Sequence, residues 1–442
     1  MLAPKILQNS TLEVSDAPRK CILLRGHNSL FKYSWVSAIQ VFFIGMLVVP
    51  TSFQHQRGVM LLLLTGIAIV LALRCWRVHR EVLFLWSATI AVGSFGILWG
   101  FFNDAPGALR VSTVYLIWPT LYLLFIGLAH DLVLMRRFES ALLVGVVLAT
   151  FMALIVLAAG LLGLEDLIFP LLAFQDVGFG AYEGFTEFRI YNLSTVMYGF
   201  PFVVAVLLSR HRQLSGFQKA SLWVLVGLMC IVAVGSGRRM FWLLVLMTPF
   251  IALFFLQLTM LRMRVVQIFV ILAKLAMYAL LAVVGLVLVY DLQLVALLQQ
   301  FQSAFLGQEE SSGLRYEQAT ALWGAFKDSP LIGIGLGSTV DVVRSDEQPW
   351  AYELAPLSLL KSVGLIGTFV YMAAIIWIAL RGLALARKDR VFAAIFVPHV
   401  VALTGFLAMT FTNPYLEKFD YLWVIFLPVA LINAYLTGRR NA

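Results

Sequence analysis

Charge is scarce in this 442-residue chain, where Asp, Glu, Lys and Arg make up 12% of the residues against 61% hydrophobic ones. With a mean hydropathy of +0.92, too little charge is available to cover a water-soluble particle of this size, so lipid must cover most of the surface. Cysteine is nearly absent. Cys21, Cys75 and Cys230 show neither a disulfide framework nor metal-ligand spacing. Histidine is almost as rare, with His211 in a connecting segment and His399 in an apolar run, neither having a second ligand at metal spacing. No serine sits in a nucleophile elbow. The short alternating pattern of barrel strands is missing too, and a chain in hydrocarbon must satisfy its backbone internally. Helices remain, and the fold class is all-α: a polytopic membrane helical bundle.

Apolar runs long enough to cross a ~30 Å hydrocarbon layer fall at 31–50, 58–73, 82–101, 111–129, 140–164, 190–208, 219–235, 239–259, 265–290, 353–380, 391–411 and 421–437. Twelve spans put both termini on one side. With that side inside, the inner segments carry 21 basic and six acidic residues, and the outer ones nine basic and seventeen acidic. Positive loops stay in the cytoplasm, so the segments 1–30 and 438–442 are expected there. The first 30 residues are too polar for a secretory core, and the first span reads as an uncleaved anchor. The net charge of +9 is spread over short juxtamembrane turns facing anionic lipid, which argues against nucleic acid as a partner.

Two outer connections are long, 165–189 and 291–352, and loops of that length are usually functional. In the second, Leu314, Gln318, Leu322 and Phe326 recur at helical spacing with Trp323 beside them, predicting an amphipathic helix over Ser312–Lys327 at the membrane interface. Pro330 stops it, and Gly333, Gly335 and Gly337 predict a flexible stretch. These glycines resemble a nucleotide loop only loosely, since no strand precedes them and no Lys-Ser/Thr ending follows.

Four groups could carry chemistry. Arg238 and Arg239, in a short turn between two apolar runs, oppose the positive-inside trend and predict an anion site, with snorkelling to headgroups as the alternative. Arg315 is expected at the start of the loop helix, where an anionic ligand would offset the unfavourable dipole; pairing with Glu310 or Glu317 is the alternative. Arg189 and Arg344 are weaker candidates, each with acidic neighbours. Glu353 is expected to open the tenth span, as either a general base at the low-dielectric edge or a cap. Lys361, eight residues on, pairs with Glu353 or binds an anion, whereas Lys274 is expected to snorkel.

Ser236-Gly237-Arg238, Arg315 through Gly337 read as R-x-x-x-x-x-x-x-W then P-x-x-G-x-G-x-G, and Glu353 through Gly364-Leu365-Ile366-Gly367 together resemble one pattern. It is that of the superfamily of bacterial O-antigen ligases and Wzy-type polysaccharide polymerases. The resemblance covers the twelve-span topology and is motif-specific over about 235–370. It implies a metal-independent glycosyltransferase of the bacterial inner membrane, without a cofactor, that polymerises undecaprenyl-diphosphate-linked oligosaccharide repeat units at the periplasmic face. Arg238, Arg315, Arg239 and Lys361 would then hold the diphosphate, and Glu353 would take the acceptor proton. A flippase and a chain-length regulator are the implied protein partners. Where the ligase pattern carries His, this sequence has Glu353, which favours the polymerase over a ligase acting on lipid A core. A transporter of lipid-linked sugars is the rival from another class.

Overall fold

The computed structural model describes residues 29–129, 131–182, 185–261, 310–343 and 346–438, with a few helical residues between 269 and 285. Among them, nine helices are long and apolar enough to cross a membrane, and two shorter apolar helices accompany them. In chain order the helices are α1 (Ser29–Val48), α2 (Gln54–Cys75), α3 (Arg80–Phe102), α4 (Ala108–Ser112), α5 (Trp118–Leu128) and α6 (Leu132–Leu161). There follow α7 (Glu165–Ile168), α8 (Leu193–Ser209), α9 (Gly216–Gly235), α10 (Arg239–Gln257), α11 (Glu310–Asp328), α12 (Ala355–Ala386), α13 (Arg390–Met409) and α14 (Trp423–Gly438). A π-turn, Thr113–Ile117, joins α4 to α5 without interrupting their shared run. The expected span at 265–290 lies largely outside the described residues, as do the segments 1–28 and 439–442 and much of the long connection.

All seventeen residues of α8 are buried, and it packs against α6, α9, α10 and α13. α8 is apolar all round, so it is the axis of the bundle, with other helices rather than lipid covering every face. At one end, here the lower, polar staples fix the turns: Asn433 accepts from His79 N–H at 2.8 Å and donates to the carbonyls of Arg77 and Ile126 at 3.1 and 3.2 Å. Glu139 and Arg210 pair in the core of the same end, where Arg210 also donates to the Ala394 carbonyl at 3.0 Å. Cys230 is a free, buried thiol.

The upper end carries the connections that the sequence places outside, tied together by the Arg57–Asp420 ion pair and by Gly107 N–H on the Gly337 carbonyl at 3.0 Å. Within 165–189, the all-α expectation meets an exception. β1 (Gly178–Tyr182) and β2 (Phe185–Arg189) form an antiparallel hairpin in which Tyr182 pairs with Phe185. Two residues, Glu183 and Gly184, separate that pair, and an X-Gly pair between aromatic-rich strands is a hairpin signal the sequence does carry.

The stretch expected to be flexible is instead threaded between α3 and α12. α12 breaks at Gly364 (φ 64°, ψ −167°), and the break exchanges hydrogen bonds with the 330–337 segment. An unbroken helix would join Leu365 and Ile366 N–H to the carbonyls of Lys361 and Ser362. Here those amides go to Pro330 and Leu331, at 2.9 and 3.1 Å, while the freed carbonyls accept from Ile334 and Gly335 N–H, each at 2.9 Å. Leu336 N–H bonds the Gly96 carbonyl of α3 at 2.8 Å, and the Trp99 indole donates to the Gly333 carbonyl at 3.0 Å. Gly335 has a φ of +100°, and a Cβ there would lie 2.4 Å from Gly100 Cα. The glycines therefore permit backbone-to-backbone contact and a fixed path.

That contact can be tested with two alanines. Gly335→Ala is expected to cost more than ~2 kcal/mol of stability, through the strained φ and the clash with α3. Gly324→Ala, on the exposed face of α11 with nothing within 4 Å of its Cβ, is expected to stabilise by ~0.5–1 kcal/mol. Thermal unfolding of the detergent-purified protein separates them, and equal melting temperatures would refute the threaded path.

Candidate functional site

α11 begins at or before Glu310 and runs to Asp328, close to the expected 312–327. Arg315, Gln318, Leu322 and Phe326, spaced three, four and four apart, lie along the face packed on α12. Gln318, Leu322 and Phe326 are buried, whereas Leu314, expected on that stripe, is exposed. Arg315 thus lies in the second turn, not at the helix start, and the dipole argument for an anion there does not apply. Among the described residues, its ion pairing reaches beyond the neighbouring Glu317. Arg315 Nε donates to Glu353 Oε2 at 2.6 Å, across 38 residues of chain. One turn along the same face, both amide atoms of Gln318 are buried without a hydrogen-bond partner.

Glu353 is buried but does not open the helix. It precedes α12 by two residues, and Pro356 stands in the first turn that follows, where a missing N–H is harmless. Lys361 does not pair with it. Fully buried at 1% exposure, Lys361 donates from Nζ to the Ser338 carbonyl at 2.7 Å and sits 5.0 Å from the Tyr352 ring centre. The threaded segment therefore supplies the acceptor that makes a buried ammonium tolerable.

Arg238 occupies the turn between α9 and α10, after Gly237 at φ +65°. Its backbone N–H reaches Ser236 Oγ at 3.3 Å, and its Nε lies 3.3 Å from Glu187 Oε1 on β2. The hairpin missed in the sequence thus holds the carboxylate that faces Arg238. Arg239 opens α10. Arg189 pairs with Asp176 at 3.1 Å on the exposed edge of the hairpin, and Arg344 lies outside the described residues. Lys274 stands 5.2 Å from the Trp223 ring centre of α9, a cation–π contact.

A short 3-10 turn, Tyr415–Glu417, runs from the neighbourhood of Arg238 to that of Lys361. Burial raises the Tyr415 hydroxyl above its ordinary pKa, and the Arg238 guanidinium opposes that rise. At the other end of the turn, Glu417 accepts from the Ser358 hydroxyl and from Tyr352 N–H, with Lys361 and Lys418 also favouring the carboxylate. Burial outweighs all four and pushes Glu417 up to about 7. In the sequence Glu417 stands out only as one of seventeen outer acids. The signal available is a charged triplet, Glu417, Lys418 and Asp420, packed into an aromatic connection just before the last span.

Glu417 also borders two cavities. A polar one of about 260 Å³ is lined by Arg110, Gln348, Ser362, Lys418 and Asp420, the last paired with Arg57, and an apolar groove of about 390 Å³ runs beside Trp86, Pro119, Tyr371 and Phe426. Val114, Tyr115 and Glu417 line both. Arg238, Arg315 and Glu353 line neither, so the cations facing the polar cavity, Arg110 and Lys418, are ones the sequence reading passed over. Taken together, the upper end offers an anion-tolerant polar chamber, an adjoining apolar groove and two arginine–carboxylate pairs. Such a set can bind a ligand with an anionic head and a hydrocarbon tail.

Because native Glu417 holds its proton more tightly than the unfolded chain does, its stabilisation is complete below about pH 4.5. It is lost as pH rises towards about 7. The expected loss over that window is about 2–3 kcal/mol. Glu417→Gln should abolish this component, measured as the difference between wild-type and variant melting temperatures from pH 4.5 to 8. Parallel profiles would show that Glu417 titrates normally.

A scan of family models finds no match to this chain, and a search of curated proteins finds none.

Proposed function

We propose that this protein is a membrane glycosyltransferase that polymerises undecaprenyl-diphosphate-linked oligosaccharide repeat units into a surface polysaccharide. The observation that carries the reading is the meeting of a polar chamber and an apolar groove at Glu417, at the end of the bundle that also carries two arginine–carboxylate pairs. The upper end would face the periplasm of the bacterial inner membrane, with both termini cytoplasmic, as loop charge implies.

In the proposed reaction, an acceptor hydroxyl oxygen attacks the anomeric carbon as the bond from that carbon to the phosphate oxygen breaks. The diphosphate departs with the electron pair. Arg238 and Arg315 would stabilise its charge by charge-assisted hydrogen bonds, with Arg239 and Lys361 supporting the local positive field. A diphosphate competes with Glu353 for Arg315, and Glu353, so released, takes the hydroxyl proton. Polymerase and O-antigen ligase share this step and differ in the acceptor.

The broken α12 with its buried Lys361 supports a second reading, because transporters bind anions at discontinuous helices near the midplane. Lys361 is six residues into α12, however, roughly 9 Å along a helix. That depth is nearer the end of the bundle than its middle, and favours the enzyme.

Purified protein in nanodiscs, which have no second compartment to transport into, is expected to convert lipid-linked repeat units into longer chains. Arg238→Ala and Arg315→Ala should each abolish elongation while the protein stays inserted and abundant. Glu353→Gln should be far less active than Glu353→Asp. Normal chain length in both arginine variants would remove the mechanism, and an active Glu353→Gln would move the base elsewhere. Lipid A core supplied as acceptor separates ligase from polymerase.

A further inference from the structure

Where the polar chamber meets the apolar groove, the Glu417 side chain faces both. A ligand made of a hydrocarbon chain and an anionic head, laid along the two, brings its phosphate to that join, since the lining changes character there. An ionised carboxylate at the join would repel the phosphate, whereas a carboxylic acid would donate a hydrogen bond to it. The groups that face Glu417 come from four places. Lys418 and Asp420 belong to its own connection, Ser358 and Lys361 to α12, Tyr352 to the segment before α12, and Arg110 and Tyr115 to the α4–α5 run. The balance among them leaves both protonation states populated near neutral pH. Glu353, by contrast, is fixed on a guanidinium as an acceptor. Glu353 adjoins Tyr352, whose backbone favours the Glu417 carboxylate, and two carboxyl groups of different environment, one held as an acceptor and one partly protonated, can divide base from acid.

We infer that Glu417, as the carboxylic acid, donates the hydrogen bond and the proton received by the departing diphosphate of the lipid-linked substrate. The inference rests on the glycosyl-transfer reading above. In the balanced step, the acceptor hydroxyl proton passes to Glu353 as the new carbon–oxygen bond forms. The old sugar–phosphate bond breaks, and the diphosphate oxygen takes the Glu417 proton. Exchange with water then returns Glu353 and Glu417 to their starting states, and neither an oxidant nor a metal enters the balance.

The test reads binding rather than turnover, with farnesyl diphosphate as the probe, farnesol as the phosphate-free control, and full-length protein in phosphatidylcholine nanodiscs. Between pH 6 and pH 8, wild-type protein is expected to lose about tenfold more affinity for the probe than Glu417→Gln, which keeps a neutral donor at every pH. Ser358→Ala, which removes a hydrogen bond to the Glu417 carboxylate, should shift the wild-type midpoint to higher pH, and serves if the glutamine variant does not fold. Farnesol should bind without pH dependence in all three proteins. Identical pH profiles for wild type and Glu417→Gln, or an unmoved midpoint in Ser358→Ala, would overturn the acid role. Failure of wild-type protein to bind farnesyl diphosphate at either pH would instead overturn the lipid-diphosphate reading on which the role depends.

Discussion

The hydrogen-bond exchange at the break in α12 is the constraint on which the rest of the upper end depends. Two amides and two carbonyls leave the helix and find partners in the 330–335 backbone, so the break costs little in unsatisfied groups. Three consequences follow. The threaded segment lies in a groove of α3 too narrow for any side chain but hydrogen. Its continuation brings the Ser338 carbonyl to Lys361. The first turns of α12, released from the axis of the remainder, present Ser358 to Glu417. One left-handed glycine thus connects a backbone geometry to the charge state of a carboxylate more than fifty residues away.

Charged pairs in the bundle differ in how far water reaches them. At the lower end, Glu139 and Arg210 are both buried in the core, and Arg210 is further tied to a backbone carbonyl. A pair like this is costly to break from one side and is weak evidence for anything beyond a unique packing of α6, α8 and α13. Arg238 and Arg315 at the upper end, unlike Arg57 there, keep about a third of their side chains exposed while paired to carboxylates. Water-accessible pairs contribute little to stability and exchange partners readily, which is what an anion-binding arginine requires.

What could be read from the sequence follows the range of each physical signal. Most of the apolar spans among the described residues were legible because hydropathy and helix length are local properties. The loop helix was legible to within a few residues for the same reason. Partners were not. Arg315 pairs with Glu353 and Arg238 with Glu187 across distances in sequence where no periodicity operates, so nearby acids such as Glu317 were the wrong guess. The glycines at 333, 335 and 337 were visible but ambiguous, because permissive φ serves mobility and close approach equally; only the position of Gly100 and Gly364 decides between them. Glu417 was hidden by its type, being an ordinary acid until burial and neighbours are known.

The position of Glu417 also bears on why the site needs two kinds of carboxylate. Arg315 requires a counter-charge when no anion is bound, and Glu353 supplies it at 2.6 Å. On the proposed reading, a second ionised carboxylate at the join would add repulsion to an incoming diphosphate. Burial holds Glu417 partly protonated, so in the proposed site it adds less than a full negative charge to a chamber lined by Arg110, Lys418 and the Arg57-paired Asp420. Exposed Glu417 would ionise well below neutral pH and close the join to anions. The apolar groove therefore does more than house a hydrocarbon chain: its low dielectric sets the charge of the group that stands where chain and phosphate meet.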